Sequence, residues 1–309
     1  AGAIAVGAGP AATALMLGGQ NLGAASYLSF SRSQESLADQ NAIKLLKKSG
    51  FPLQGMLNFF SILERNESLK KINPYFLTHP LSSERKKHIQ MNLQGQTIKN
   101  FESLNQKFSL VKAKVYGFFL KEEELQFYYP KQNTLEALYA YSLQYYRIGK
   151  IKKALENLNI CIKKFPNNPY FFELKGQILF ENGSIMESIN AFRKARELLP
   201  SEKSFDLFLA KSLYHSKVES LRIESIKLLW SYIKHDNFPY EGWHYLGLNY
   251  GKLKKHDFSS YALAEKYLLV NQIKNAKIHV QRAKKISKDP VLINKIKDLE
   301  KEIQKRESR

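Results

Sequence analysis

The chain has 309 residues, length for two domains, and its 44% hydrophobic and 25% charged residues are ordinary for a folded soluble protein. A single cysteine, Cys161, excludes a disulfide framework within the chain and a cysteine-ligated zinc site. The formal net charge of +20 points either to a solvated Lys-rich surface or to an anionic partner, but no RNA- or DNA-binding motif accompanies it, so no nucleic-acid partner is expected.

Residues 1–31 contain no charged side chain and are rich in Gly and Ala, with Pro10 interrupting. They read as two short packed helices or a helical hairpin, with a membrane span or a membrane-dipping element as the alternative. The chain opens on Ala1 with no basic stretch before its first apolar run, so it does not have the form of an intact signal peptide, and the start is read as a truncation or a processed end. From Ser31 to about Lys48 a helix is expected, with Leu37, Ala38, Ile43, Leu45 and Leu46 on its apolar side, closed by Gly50 and Pro52. A second amphipathic helix covers Leu53 to Glu64 with Met56, Leu57, Phe59, Phe60 and Leu63. A polar loop then runs through Thr78-His79-Pro80, and Ser82 or Ser83 can cap a helix from Glu84 to Leu93. Asn100 to Tyr129 reads as helical, with Phe101, Leu104, Phe108, Leu110, Val111 and Val115 at workable spacing and Lys121-Glu122-Glu123-Glu124 as a solvated patch. Tyr129-Pro130 is the expected domain junction, giving domains 1–130 and 131–309.

Beyond it the chain repeats. Pro166 and Pro200 stand 34 positions apart, the tetratricopeptide (TPR) period. Leu138, Tyr141, Tyr145, Ala154, Leu158 and Cys161 mark a first unit; Phe172, Gly176, Leu179, Ser188, Phe192 and Ala195 mark a second. A looser third unit covers Phe205 to Asn237, then Trp243, Leu246, Gly247 and Tyr250 match the first helix of a repeat, and Ala276, Val280 and Ala283 match a second helix. Small residues at the Ala and Gly positions let paired helices approach, and the large ones fill the holes between them. Pro290 to Lys305 is expected to be a terminal helix that caps the open end, with Leu292, Ile293, Ile296, Leu299 and Ile303 on one side.

Two segments of the first domain carry chemistry. Ser31-Arg32-Ser33-Gln34-Glu35-Ser36-Leu37-Ala38-Asp39 resembles the S-R-x-x-E-x-x-A-D segment of HtpX-like and BepA-like zinc metallopeptidases, and Thr78-His79-Pro80 with Arg85 resembles the T-H-P-x-x-x-x-R segment that follows it there. The resemblance implies an all-α fold, the C-terminal portion of a helical zinc-metallopeptidase core followed by a TPR superhelix. In that family two His of an HExxH helix and one Glu of a later helix bind Zn2+, and the HExxH Glu is the general base. By resemblance Glu35 is a zinc ligand and His79 a candidate fourth ligand or gate. Asp39, one turn after Glu35 on the same face, is expected to orient a ligand His. Arg32 is expected to hold the helix through an ion pair or cap, and Arg85 to position the loop. On spacing alone, Glu35 and Asp39 are an acidic helix edge and His79 an exposed loop histidine. No HExxH occurs in the chain, and no two of its seven His are four apart. One carboxylate and one loop His fall short of the three protein ligands of a catalytic zinc, so these residues are expected to be inactive by themselves, with HExxH upstream. No catalytic residue is assigned within the chain. Cys161 sits at a packed repeat position, which argues against nucleophilic catalysis.

The resemblance further implies protein or peptide substrates met through the TPR domain, contact with membrane or outer-membrane assembly machinery, and residence in the periplasm or bacterial envelope. The alternative is a non-catalytic TPR adaptor or chaperone with a vestigial peptidase core.

Overall fold

The computed structural model describes residues 33–68, 82–95, 97–216 and 218–308. All regular structure among them is α-helical, with no strand, as the periodicity predicts. The expectation for residues 1–31 lies outside the described residues. No helix among the described residues is long and apolar enough to cross a membrane.

The chain divides into two compact units between Ser103 and Leu104. The first contains α1 (33–49), α2 (Gln54–Ser68) and α3 (Ser82–Met91). Helix α1 ends where Gly50 adopts a φ of +80°. The Phe51 amide donates to the Leu46 carbonyl at 3.0 Å and the Gly50 amide to the Lys47 carbonyl at 3.2 Å. These are the two bonds of a Schellman turn, which needs a left-handed residue, and Pro52 then prevents the helix from resuming. The core of this unit is small: Ile43, Leu53, Leu57, Phe60 and Ile89 are buried, with Leu46, Met56, Leu63 and Leu93 packed against them. The expected apolar stripe is only half used. Leu37, Ala38, Leu45 and Phe59 are exposed, because α1 and α2 each turn a single narrow face to the core.

The second unit holds α4 (Glu102–Phe119), α5 (Glu122–Tyr128), α6 (Leu135–Arg147), α7 (Ile151–Lys164), α8 (Pro169–Glu181), α9 (Ile185–Leu198), α10 (Ser204–His215), α11 (Leu221–Ile233), α12 (Tyr240–Lys252), α13 (His256–Leu269), α14 (Ile273–Ile286) and α15 (Pro290–Glu307). From α6 onward these are antiparallel helices packed in sequence, in the manner of TPR repeats. The small residues act as their spacing predicts. A Cβ added at Gly176 would stand 2.7 Å from the Phe192 ring, and one at Gly247 would stand 3.1 Å from Leu263. Ala154, Ala195, Ala276 and Ala283 are fully buried. Hydroxyls tie paired helices at recurring positions: Ser142 donates to the Ala154 carbonyl, Ser225 to that of Ala210 and Ser259 to that of Gly247, each at 2.8 Å. These bonds satisfy buried hydroxyls while holding two backbones together. Helix ends also recur as Schellman turns, at Gly149, Gly183, Lys254 and Asn271, all at positive φ.

Three details depart from the sequence reading. The single helix expected over 100–129 is two, because the chain breaks at Leu120 and Lys121. The acidic run is exposed, as expected of a solvated patch, and it also opens α5, where the Glu124 carboxylate accepts from the Lys121 amide at 2.9 Å. Helix α4 also buries its small residues, not its large ones. Ala113 and Gly117 are buried, and a Cβ on Gly117 would lie 2.2 Å from the Ala140 carbonyl oxygen of α6, whereas Leu104, Phe108, Val111 and Val115 are exposed. Finally, Ala113 and Leu125 share a core with Ala137 through Ile178, so α4 and α5 pack with the array. Pro130 had suggested a junction near residue 130.

Cys161 is fully buried on the α7 face that meets α6, and burial pushes its thiol up to about 12, so the thiolate needed of a nucleophile is not formed at neutral pH. Helix α15 closes the array with Leu292, Ile296, Leu299 and Ile303 buried, its N-terminus capped by Asp289, whose carboxylate accepts from the Leu292 amide at 2.9 Å.

Candidate active site

The site is built in the first unit. Glu35 and Asp39 are one turn apart on α1, so their carboxylates project from one face. Arg85, in the first turn of α3, reaches both. Its Nε donates to Asp39 Oδ2 and its Nη2 to Asp39 Oδ1, each at 2.7 Å. The same Nη2 lies 3.0 Å from Glu35 Oε2. The planar guanidinium makes a two-pronged contact that an ammonium could not reproduce. Beneath it lies the ring of Phe60 from α2, 4.4 Å from the guanidinium carbon. Phe60 is a core residue, so the arginine is held between a rigid apolar floor and two carboxylates.

Burial grades the three groups. The Asp39 side chain is 8% exposed, Arg85 19% and Glu35 25%. Asp39 is therefore the acid that depends most on its partner, since a buried carboxylate without a cation is strongly disfavoured. Glu35 lies toward the open side of the cluster. A second ion pair, between Lys86 and Glu64, also joins α3 to α2.

Of the residues singled out from sequence, Glu35, Asp39 and Arg85 come together in one cluster. Arg32 and His79 lie outside the described residues. The resemblance gives Arg85 the role of positioning the loop and Asp39 that of orienting a ligand His; among the described residues the two are in direct contact with each other. Phe60 was assigned only to the core. Its role under Arg85 had no signal in the sequence, because the stack depends on how α2 and α3 pack.

These residues do not by themselves suffice for a metal. No group of three or more His, Cys, Asp or Glu side chains among the described residues is placed to hold an ion. The cluster contains the carboxylates of one helix and a cation, which is at most one ligand's share of a catalytic zinc site.

Comparison with known proteins gives this cluster a context. Residues 2–92 match the model of peptidase family M48. The beta-barrel assembly-enhancing protease of Escherichia coli is 26% identical over 278 residues, covering 87% of this chain and 55% of its own length. The protein of that name from Yersinia pestis is 26% identical over 226 residues, 70% of this chain and 46% of its own. A TPR repeat-containing protein of Methanocaldococcus jannaschii is 34% identical over 80 residues, 26% of this chain and 14% of its own. The chain thus spans about half the length of the proteases it matches. Glu35, Asp39 and Arg85 all fall within the matched region, and the chain is therefore similar to the beta-barrel assembly-enhancing proteases, with a stretch that matches peptidase family M48 ahead of a TPR-like helical array.

Proposed function

We propose that this chain is the part of a zinc metalloendopeptidase that contributes one metal ligand and the helical array that handles protein substrates. Glu35 is the ligand. Asp39 and Arg85 set its position, Arg85 by bridging the two carboxylates across α1 and α3. Arg32 and His79 belong to the same cleft, His79 as a further ligand or a gate. The remaining ligands and the general base are outside these 309 residues, since the sequence has no HExxH. The observation that carries this reading is the Arg85 bridge between Glu35 and Asp39 inside the peptidase-matched region. By likeness to the beta-barrel assembly-enhancing proteases, the substrates are envelope proteins in outer-membrane quality control, and the site of action is the periplasm. The array after residue 130 meets those substrates or an assembly partner.

Two measurements test it. Residues 1–309 alone are expected to bind zinc weakly; tight one-to-one binding would show that the ligands are all within them. In the native gene product, Glu35→Gln is expected to abolish cleavage of unfolded protein, and unchanged cleavage would remove Glu35 as the ligand. A second reading, a non-catalytic adaptor with a vestigial core, is favoured by the missing HExxH. It predicts no zinc-dependent cleavage in the native gene product.

A further inference from the structure

Helix α4 carries an apolar stripe on the side away from its own packing. Leu104, Phe108, Val111, Val115 and Phe118 recur at intervals of four, three, four and three residues, and each is between 46% and 66% exposed. The buried Ala113 and Gly117 follow Val111 and Val115 by two residues, about 200° round the helix, so the packed side and the stripe are nearly opposite. The large residues of α4 that do pack on the core are Leu110 and Tyr116. The charges beside the stripe are all of one sign. Lys107 and Lys112 flank its two edges, and the guanidinium of Arg147 on α6 stands 5.7 Å from the centre of the Phe118 ring. None of the three has a carboxylate partner among the described residues; Lys112 stands instead 5.1 Å from the Tyr116 ring. Lys114, farther round the helix, is already paired with Glu173 at 3.1 Å. Glu102, the one acid of α4, precedes Leu104 by two residues and so lies on the far side.

We propose that this face of α4 docks an amphipathic helix of a protein partner, one whose apolar seam is flanked by Asp and Glu. The alternating spacing of four and three is that of a coiled-coil seam, in which the side chains of one helix enter the holes of the other. From Leu104 to Phe118 the stripe runs about 21 Å, or about four turns, which gives a partner helix a defined register. A strip this narrow suits a helix better than a bilayer surface, where a helix sinks a broad apolar face. Charge argues against a second copy of this chain, whose own lysines would stand beside Lys107 and Lys112. Carboxylates in those places supply what the flanks of α4 lack. The proposal is independent of the metal-ligand reading and of what the TPR-like helix pairs bind.

The test uses the 309-residue chain and two short helical peptides that share one Leu seam, one flanked by Glu and the other by Lys. The Glu peptide should bind saturably and more weakly as salt is raised, and the Lys peptide should bind about tenfold or more weakly than it. Phe108→Ser with Val111→Ser removes two exposed seam residues without touching a core, and should weaken the Glu peptide about tenfold or more. Lys107→Glu with Lys112→Glu should reverse the preference, so that the Lys peptide binds better. In Val115→Cys, maleimide should label position 115 rapidly, because the native Cys161 is buried, and the Glu peptide should slow it. The same rapid labelling is expected in the native gene product. Failure of the Glu peptide to bind, equal binding of the two peptides, or wild-type affinity in the double serine variant overturns the proposal. So does slow labelling before any peptide is added, since the face is then already covered. Self-association of the chain that the serine substitutions abolish would assign the face to a second copy. Binding to phosphatidylglycerol vesicles that they abolish would assign it to a membrane surface, and either result also overturns the proposal.

Discussion

The three-helix unit and the helical array hold their shape by different means. In the first, five buried apolar residues form the core, and a charged cluster of Glu35, Asp39 and Arg85 ties α1 to α3. In the second, apolar contacts and hydroxyl-to-carbonyl bonds recur from one helix pair to the next. The first arrangement concentrates its stability in a few contacts, so single substitutions there act strongly. The second spreads it over neighbours, so a local defect is partly absorbed. The difference suits the roles proposed for them, since a metal ligand must be held in one geometry while a protein-binding array need only present a surface.

That contrast can be broken most forcefully at Arg85. Arg85→Met leaves the Asp39 carboxylate buried without a cation and is expected to cost about 3 kcal/mol or more, enough to unfold so small a unit. Hydrogen exchange should then rise in α1 through α3 while α6 through α15 stay protected. Pairing it with Asp39→Leu should restore much of the loss, because both charges leave together; a double variant no better than Arg85→Met would show that the cluster is not a coupled unit.

Next in size is Gly117→Ala. The added Cβ would meet the Ala140 carbonyl at 2.2 Å, which is backbone and cannot swing aside. Forcing α4 from α6 should cost about 1–3 kcal/mol, read as a lower urea midpoint for the array. An unchanged midpoint would mean that α4 is not seated on α6.

A smaller effect follows from pH. His244 and His279 have folded-state pKa values below the 6.5 of an unfolded histidine, with burial the first cause in each. The unfolded chain therefore binds protons first as the pH falls below 6.5. Their contribution to stability is fully present above that value and is lost as the pH drops toward their folded-state values. Thermal unfolding of the array should shift downward across that window, and less so in a His279→Phe variant. Glu265 runs the other way: burial raises its carboxyl above the usual 4.5, so its contribution is present below 4.5 and is lost as the pH rises through its folded value.

The smallest expected change is a gain. Lys254 holds a φ of +58° at a helix end where Gly149 and Gly183 hold the same conformation at no steric cost. Lys254→Gly should stabilise the array by roughly 0.5 kcal/mol, measurable as a raised melting temperature. A loss would show that the Lys254 side chain makes a contact worth more than the backbone strain.

Much of this was legible in the sequence by itself. The 34-residue spacing, the Gly and Ala positions and the Trp243 helix determined the helix pairs and their close approach, because each is a local pattern tied to one contact between consecutive helices. The four-residue spacing of Glu35 and Asp39 determined that they share a face, since helix geometry alone requires it. Local periodicity could not decide which of several apolar faces is buried, so the large residues of α4 read as core when its small residues are what α6 accepts. Nor could it decide that Arg85, 46 positions after Asp39, closes on both carboxylates above Phe60, or that Lys266 of α13 stands over the Tyr240 ring of α12. Those arrangements depend on distances between helices, which only tertiary packing sets: a charge far along the chain has no fixed partner until the backbone has brought one within hydrogen-bonding reach.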